Sequence, residues 1–237
     1  MGMHGFQTNR HITNLLKRLV VICGALILVA IACVLFVGCL LAHPVQTRIG
    51  NPPADLQAES VTFPNDSKCK CPRLVVPSTE SYGAILLLPG IRANRLSMVD
   101  RARFLRGAGY SVMLIDFQAT GETEGDHITF GWKESRDVIA AANLIRRIDP
   151  ASRVAIIGGS LGGVAALLAT PPPLVLEAVY PTIEIATRNR MENHLGSFGR
   201  MLTPVLLNQF QWRLRVSALQ LRPPSIISPM STVRCSS

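Results

Sequence analysis

The chain has 237 residues, 48% of them hydrophobic and 16% charged, with a formal net charge of +9 at pH 7. That length suits one domain, or one domain with an anchor. The basic residues are scattered: Arg92, Arg95, Arg101, Arg103 and Arg106 in one region, Arg188, Arg190, Arg200, Arg213 and Arg215 in another. A nucleic-acid surface needs a basic stripe or a reader motif, and with neither in the sequence no nucleic-acid partner is expected. Of the six cysteines, Cys69 and Cys71 form a C-x-C pair with no second pair at zinc spacing, so no metal is expected.

Residues 1–18 form a basic N-terminal segment carrying Arg10, Lys17 and Arg18. Residues 19–42 then carry no charge. About 20 apolar residues cross a bilayer core, so this stretch is long enough to span and to meet membrane lipid. Two readings follow. In one the segment is an uncleaved anchor; the preceding cations hold the N-terminus in the cytoplasm and the domain lies outside. In the other it is a signal, and Val37-Gly38-Cys39 resembles the end of a lipoprotein processing box, with anchoring at Cys39. Both readings export the domain and tie it to a membrane.

Residues 43–60 carry Pro, Gly and Asn without periodicity and read as a linker. A domain over 61–221 follows, and a Pro/Ser-rich irregular tail over 222–237 ends the sequence. Within the domain, 61–63 and 73–76 are expected as an antiparallel pair of strands. The run 82–88 is apolar throughout, as in a strand buried on both faces. Apolar positions at helical spacing mark 96–107. A second buried strand is expected over 110–117, a Gly/Thr/Glu-rich turn after Asp116, and a helix over 132–148 stopped by Asp149-Pro150. A third strand and helix occupy 154–168, a fourth strand 174–179, and the stretch 181–221 is mainly helical. Strands alternating with helices at this spacing define an α/β fold: a mostly parallel sheet with helices on both faces.

The third strand and helix meet at GGSLGG, residues 158–163. A G-x-S-x-G turn between a buried strand and a helix is the setting of a nucleophile elbow. Ser160 stands at its apex. Gly158 and Gly162 must be small, because the helix crosses back over the strand there. The amide of Leu161, at the helix N-terminus, is placed to hold a developing oxyanion.

Three segments together carry a family resemblance: LLLPGIRANR at 86–95, LIDFQATGETEG at 114–125, and GGSLGG. In this order and spacing they resemble the α/β-hydrolase superfamily, particularly bacterial proteins similar to the prolyl oligopeptidase and dienelactone hydrolase groups. The resemblance implies an α/β-hydrolase-like domain preceded by one transmembrane helix. It implies Ser160 as nucleophile on a small acyl or peptide substrate, with the amides of Ile91 and Leu161 forming the oxyanion hole. The family usually has His-Gly where this chain has Pro89-Gly90. No cofactor is expected, since acyl transfer of this kind uses side chains and amides alone.

The fold's usual order is Ser, then Asp or Glu, then His. After Ser160 this sequence has no aspartate; its carboxylates are Glu177, Glu184 and Glu192, and its one histidine is His194. The C-terminal third of such a domain is not legible, so the sheet is expected to be C-terminally incomplete. Three readings stay open. The chain is a shortened relative without a working acid and base; or Ser160 works with His194 as base and Glu177 as acid, His127 being a weaker base; or the chain is a non-catalytic binding module on a hydrolase fold. A sheet ending near residue 179 exposes an apolar edge, which is expected to drive self-association.

Overall fold

A computed structural model describes residues 4–51, 53–64, 70–76, 82–169, 174–177 and 183–214. The expected tail at 222–237 lies outside them, as do Cys69 and the last two positions of the expected fourth strand.

A six-stranded sheet is ordered β2-β3-β5-β4-β7-β8. The strands are β2 (Glu59–Pro64), β3 (Lys70–Val76), β4 (Ala84–Leu88), β5 (Ser111–Ile115), β7 (Val154–Gly159) and β8 (Leu174–Glu177). β2 and β3 are antiparallel to each other and β3 is antiparallel to β5, whereas β5, β4, β7 and β8 run parallel. A separate two-residue pair joins β1 (Val45–Gln46) to β6 (Thr120–Gly121) in parallel.

The central strands β4, β5 and β7 are apolar on both faces, and the period of two sorts their side chains. Leu86, Leu88, Ile115 and Ile156 point to one layer, where they pack on α3 (Glu134–Ile148) and α4 (Leu161–Leu168) through Val138, Ala141, Ala165 and Ala166. Ile85, Leu87, Val112 and Leu114 point to the other, against Val99 and Ala102 of α2 (Val99–Gly107) and against Leu56. Leu86 and Leu87 are both fully buried, on opposite faces. Truncating either to alanine removes a contact worth about 2–5 kcal/mol.

Element boundaries differ from expectation where backbone groups find other partners. The helix expected from 96 begins as a 3-10 turn, Arg95–Met98, because the Asn94 side chain accepts from the Leu96 amide at 3.0 Å. β5 stops at Ile115 because Asp116 leaves the ladder and accepts from the Arg95 amide at 2.7 Å. Tyr82 is 73% exposed and bonds Gly109 instead of extending β4.

Two long helices lie outside the sandwich. α1 (His4–Ala42) contains an apolar stretch, Thr13–Ala42, long enough to cross a membrane. α5 (Ile183–Leu214) bends at Gly196, where φ is 58° and ψ is −143°. Its second half packs along the end of α1 through Leu202 and Leu206 against Val34 and Ala42.

The stretch expected as a linker is bonded to the domain in its first part. The amides of Val45 and Thr47 donate to the carbonyls of Ala119 and Gly121 at 2.8 and 2.7 Å. The amide of Ile49 donates to Glu122 Oε1 at 2.9 Å.

Candidate active site

Ser160 sits between β7 and α4 with φ 49° and ψ −113°. An L-residue reaches this region only at a cost of about 1–3 kcal/mol, so the surrounding turn must hold it there. The turn is closed by contacts only glycine allows. A Cβ on Gly158 would lie 2.7 Å from the carbonyl carbon of Gly162 and the amide nitrogen of Gly163. A Cβ on Gly162 would lie 2.7 Å from the carbonyl oxygens of both Leu88 and Pro89. α4 therefore starts directly against the end of β4, and Ser160 is left exposed above the sheet.

The loop after β4 faces the same point. A Cβ on Gly90 would come within 3.9 Å of both the Ser160 Cβ and the Gly159 carbonyl. Ile91 packs on the core beside it, and among the described residues its amide has no acceptor. Leu161 is the first residue of α4, so the helix offers its amide no partner. Ser160 and the two amide-bearing residues named from sequence thus belong to adjoining turns at the carboxyl edge of the parallel strands, where ligands of open α/β sheets sit.

Backbone strain collects at this edge. Five non-glycine residues have positive φ among those described. Four of them, Arg92, Ala119, Phe130 and Ser160, lie in the loops after β4, β5 and β7.

Charged groups that the sequence pattern left without a role brace the neighbouring loops. Arg95 and Asp116 form a buried ion pair through Nη1 and Oδ2, and Arg95 Nη2 reaches Glu122 Oε2 at 2.6 Å. Burial pushes the Asp116 carboxyl above its ordinary range, while the Arg95 and Glu122 amides and the guanidinium pull against it. Glu122 is held below its ordinary range, chiefly by the Arg95 hydrogen bond. Glu134, also fully buried, accepts from the Thr129 and Gly131 amides at 2.8 Å each and from Gln118 Nε2 at 2.9 Å. These bonds shape residues 116–134 around the site. The sequence signals were faint: an acid at a strand end and an acid in a helix's first turn.

The expected base and acid are placed differently. Glu177 ends β8, with its Cα paired to that of Gly159, one residue before Ser160. His194 lies exposed on α5, two residues before its bend. Among the described residues no hydrogen bond links His194 to Ser160. His127 is half-buried in the loop after β5, where its carbonyl accepts from Gln118 Nε2 at 2.7 Å. A cleft of about 370 Å³ on α5, lined by Arg188, Asn189, Glu192 and Arg200, contains none of the residues around Ser160.

The family model for the alpha/beta hydrolase family matches residues 85–232, and the chain belongs to that family. Solved structures share its fold. An esterase of Pyrococcus furiosus is 21% identical with a TM-score of 0.58, over 73% of this chain and 69% of that one. A hypothetical protein of Pseudomonas aeruginosa is 19% identical with a TM-score of 0.54, over 70% of this chain and 56% of that one. No curated protein sequence matches the chain.

Proposed function

We propose that the chain is a membrane-tethered serine hydrolase acting on an ester, thioester or amide through an acyl-enzyme on Ser160. The observation that carries this reading is the exposed Ser160, held at φ 49° in the nucleophile elbow between β7 and α4 and facing Gly90. Likeness to the Pyrococcus furiosus esterase favours an ester over an amide. Ser160 Oγ adds to the carbonyl carbon while its proton passes to a base. The amides of Ile91 and Leu161 stabilise the charge developing on the carbonyl oxygen. The bond to the leaving alcohol breaks, and the alcohol takes that proton. Water then repeats the addition at the acyl carbon, releasing the acid and returning a proton to Ser160. His194 is the candidate base and Glu177 the candidate acid, with the bend at Gly196 as the joint by which the first half of α5 would approach.

The anchor is residues 19–42, with the N-terminus in the cytoplasm and the domain outside. A second reading, a non-catalytic tethered module, is favoured by one observation: no imidazole is bonded to Ser160 among the described residues.

Hydrolysis of p-nitrophenyl esters by the full chain in mild detergent tests the proposal. Turnover is expected to vanish in Ser160→Ala and to fall about 100-fold or more in His194→Ala and Glu177→Gln. Turnover that survives Ser160→Ala refutes the reading; turnover unchanged in His194→Ala removes that residue from the mechanism.

A further inference from the structure

The anchor helix joins the domain without slack, and its bonds to the loops of the α/β domain lie at the carboxyl edge of the sheet. Arg92, two residues after Gly90, donates from Nη1 to the Leu40 carbonyl of α1 at 2.7 Å. The Ile128 amide donates to the Ala42 carbonyl at 2.9 Å. Only two residues separate the end of α1 from β1, which is already paired with β6 in the loop after β5. Beyond it, Ile49 is tied to Glu122. All these partners stand in the loops after β4 and β5, the same edge that carries Ser160. A helix attached this way leaves the domain on its catalytic side.

α5 reinforces that geometry. Its second half runs back down α1: Leu202 and Leu206 pack against Val34 and Ala42, and Gln209 Nε2 donates to the Leu35 carbonyl at 2.7 Å. Gly38 makes room for it, because a Cβ there would run into Leu206 and Gln209. At 1.5 Å per residue the apolar stretch 19–42 is about 36 Å long, against a hydrocarbon core of about 30 Å. A core that begins at Leu19 ends near Gly38, so the Gln209 end of α5 reaches into the bilayer rather than stopping above it. The outward side of α5 suits that position. After the bend, Phe198 and Met201 are 52% and 73% exposed with Arg200 between them; before it, Leu195 is 48% exposed and Arg188 and Arg190 lie on the first half. Apolar side chains left exposed beside a spanning helix can face lipid tails, and arginines beside them can reach the headgroups.

We infer that the face of the domain bearing Ser160 lies on the bilayer, with the second half of α5 dipping into it beside α1, and that the substrate is an acyl ester of a membrane-resident amphiphile delivered from the lipid surface. The inference rests on the hydrolase reading of Ser160 for its chemistry and on the anchor geometry for its orientation. The ester bond opened is the one between acyl carbon and alkoxy oxygen; the acyl group passes to Ser160 and then to water, and the alcohol portion leaves protonated.

Two measurements on the full chain in phosphatidylcholine vesicles separate these parts. For orientation, Trp132 and Trp212 are replaced by phenylalanine and one tryptophan is introduced, as Phe198→Trp or as Ile148→Trp. Ile148 ends α3 at the opposite edge of the sheet and is 58% exposed. With brominated phosphatidylcholine, Phe198→Trp fluorescence is expected to fall at least twofold and Ile148→Trp fluorescence to stay unchanged. Absence of quenching at position 198, or equal quenching at both, overturns the orientation. Burial of the same face against a second copy would give a blue-shifted but unquenched signal at 198, and that result overturns the orientation too. For substrate, a long-chain fluorogenic ester dissolved in the vesicles is expected to turn over at least tenfold faster, per unit concentration, than the water-soluble acetate of the same fluorophore. A faster acetate overturns the substrate class while leaving Ser160 chemistry intact. No turnover of either ester overturns the hydrolase reading, and the substrate class with it, while the quenching result stands independently.

Discussion

Replacing Gly162 with alanine probes how the Ser160 turn is built. The new Cβ would sit 2.7 Å from the Leu88 and Pro89 carbonyl oxygens and 2.8 Å from the Leu88 Cβ. Ordinary contact begins at 3.4 Å, so α4 must withdraw from the end of β4 by about 0.7 Å, and none of these atoms is the free end of a flexible side chain. Overpacking of this kind costs about 1–3 kcal/mol, and the better helix propensity of alanine returns at most about 1 kcal/mol of it. A net loss of about 1–2 kcal/mol is expected. Gly107→Ala is the internal control: it closes α2, and a Cβ there meets nothing within 4 Å. It is expected to be neutral or to gain about 0.5–1 kcal/mol. Urea denaturation of the full chain in mild detergent, followed by tryptophan fluorescence, reads both changes as midpoint shifts at constant slope. The withdrawal also displaces the Leu161 amide, so reaction of Ser160 with an acylating ester should slow about tenfold or more. Equal stability of Gly162→Ala and wild type would refute the close crossing of α4 over the end of β4.

Three further outcomes follow from the same geometry. Ser160→Gly should be about 1 kcal/mol more stable than Ser160→Ala in urea denaturation, because glycine relieves the positive φ that alanine retains. Arg95→Met should cost about 3–5 kcal/mol at pH 7.5, since it leaves Asp116 charged, buried and without its cation. Asp116 is already raised by burial, and a raised carboxyl stabilises the fold below its unfolded pKa and loses that contribution as pH rises. The deficit of Arg95→Met should therefore shrink between pH 7.5 and pH 5, and an equal deficit at both would argue against a charge-based cause. Glu122 has the opposite sign: its lowered pKa contributes stability above the unfolded value and loses it as pH falls. Glu122→Gln should accordingly cost about 0.5–1 kcal/mol at pH 7 and almost nothing near pH 3.5, by denaturation at each pH.

The strands around the site were legible because each is a short apolar run whose neighbours are turns. Residues 84–88 and 154–159 bury enough side-chain surface to reveal themselves without any partner. The tight turn at Ser160 was legible because the glycines beside it are required by contacts 2.7 Å away. The attachment of residues 43–51 was not. Val45 and Thr47 bond through their amides, and a main-chain amide carries no residue-type signature. The Arg95–Asp116 pair was equally hidden, because its members are 21 positions apart and each is also an ordinary surface residue type. The helical character of 183–214 was expected from composition. Its seat on α1 depends on Gly38, which sits in an apolar stretch where one glycine looks like any other.

The proposed chemistry requires Ser160 to be an activated nucleophile in the folded chain. Intact-protein and peptide mass spectrometry after treatment with a fluorophosphonate tests it directly. One phosphonyl adduct, confined to the peptide containing Ser160 and absent from Ser160→Ala and from heat-denatured protein, is the expected result. A folded chain that remains unmodified, or carries the adduct elsewhere, contradicts the account.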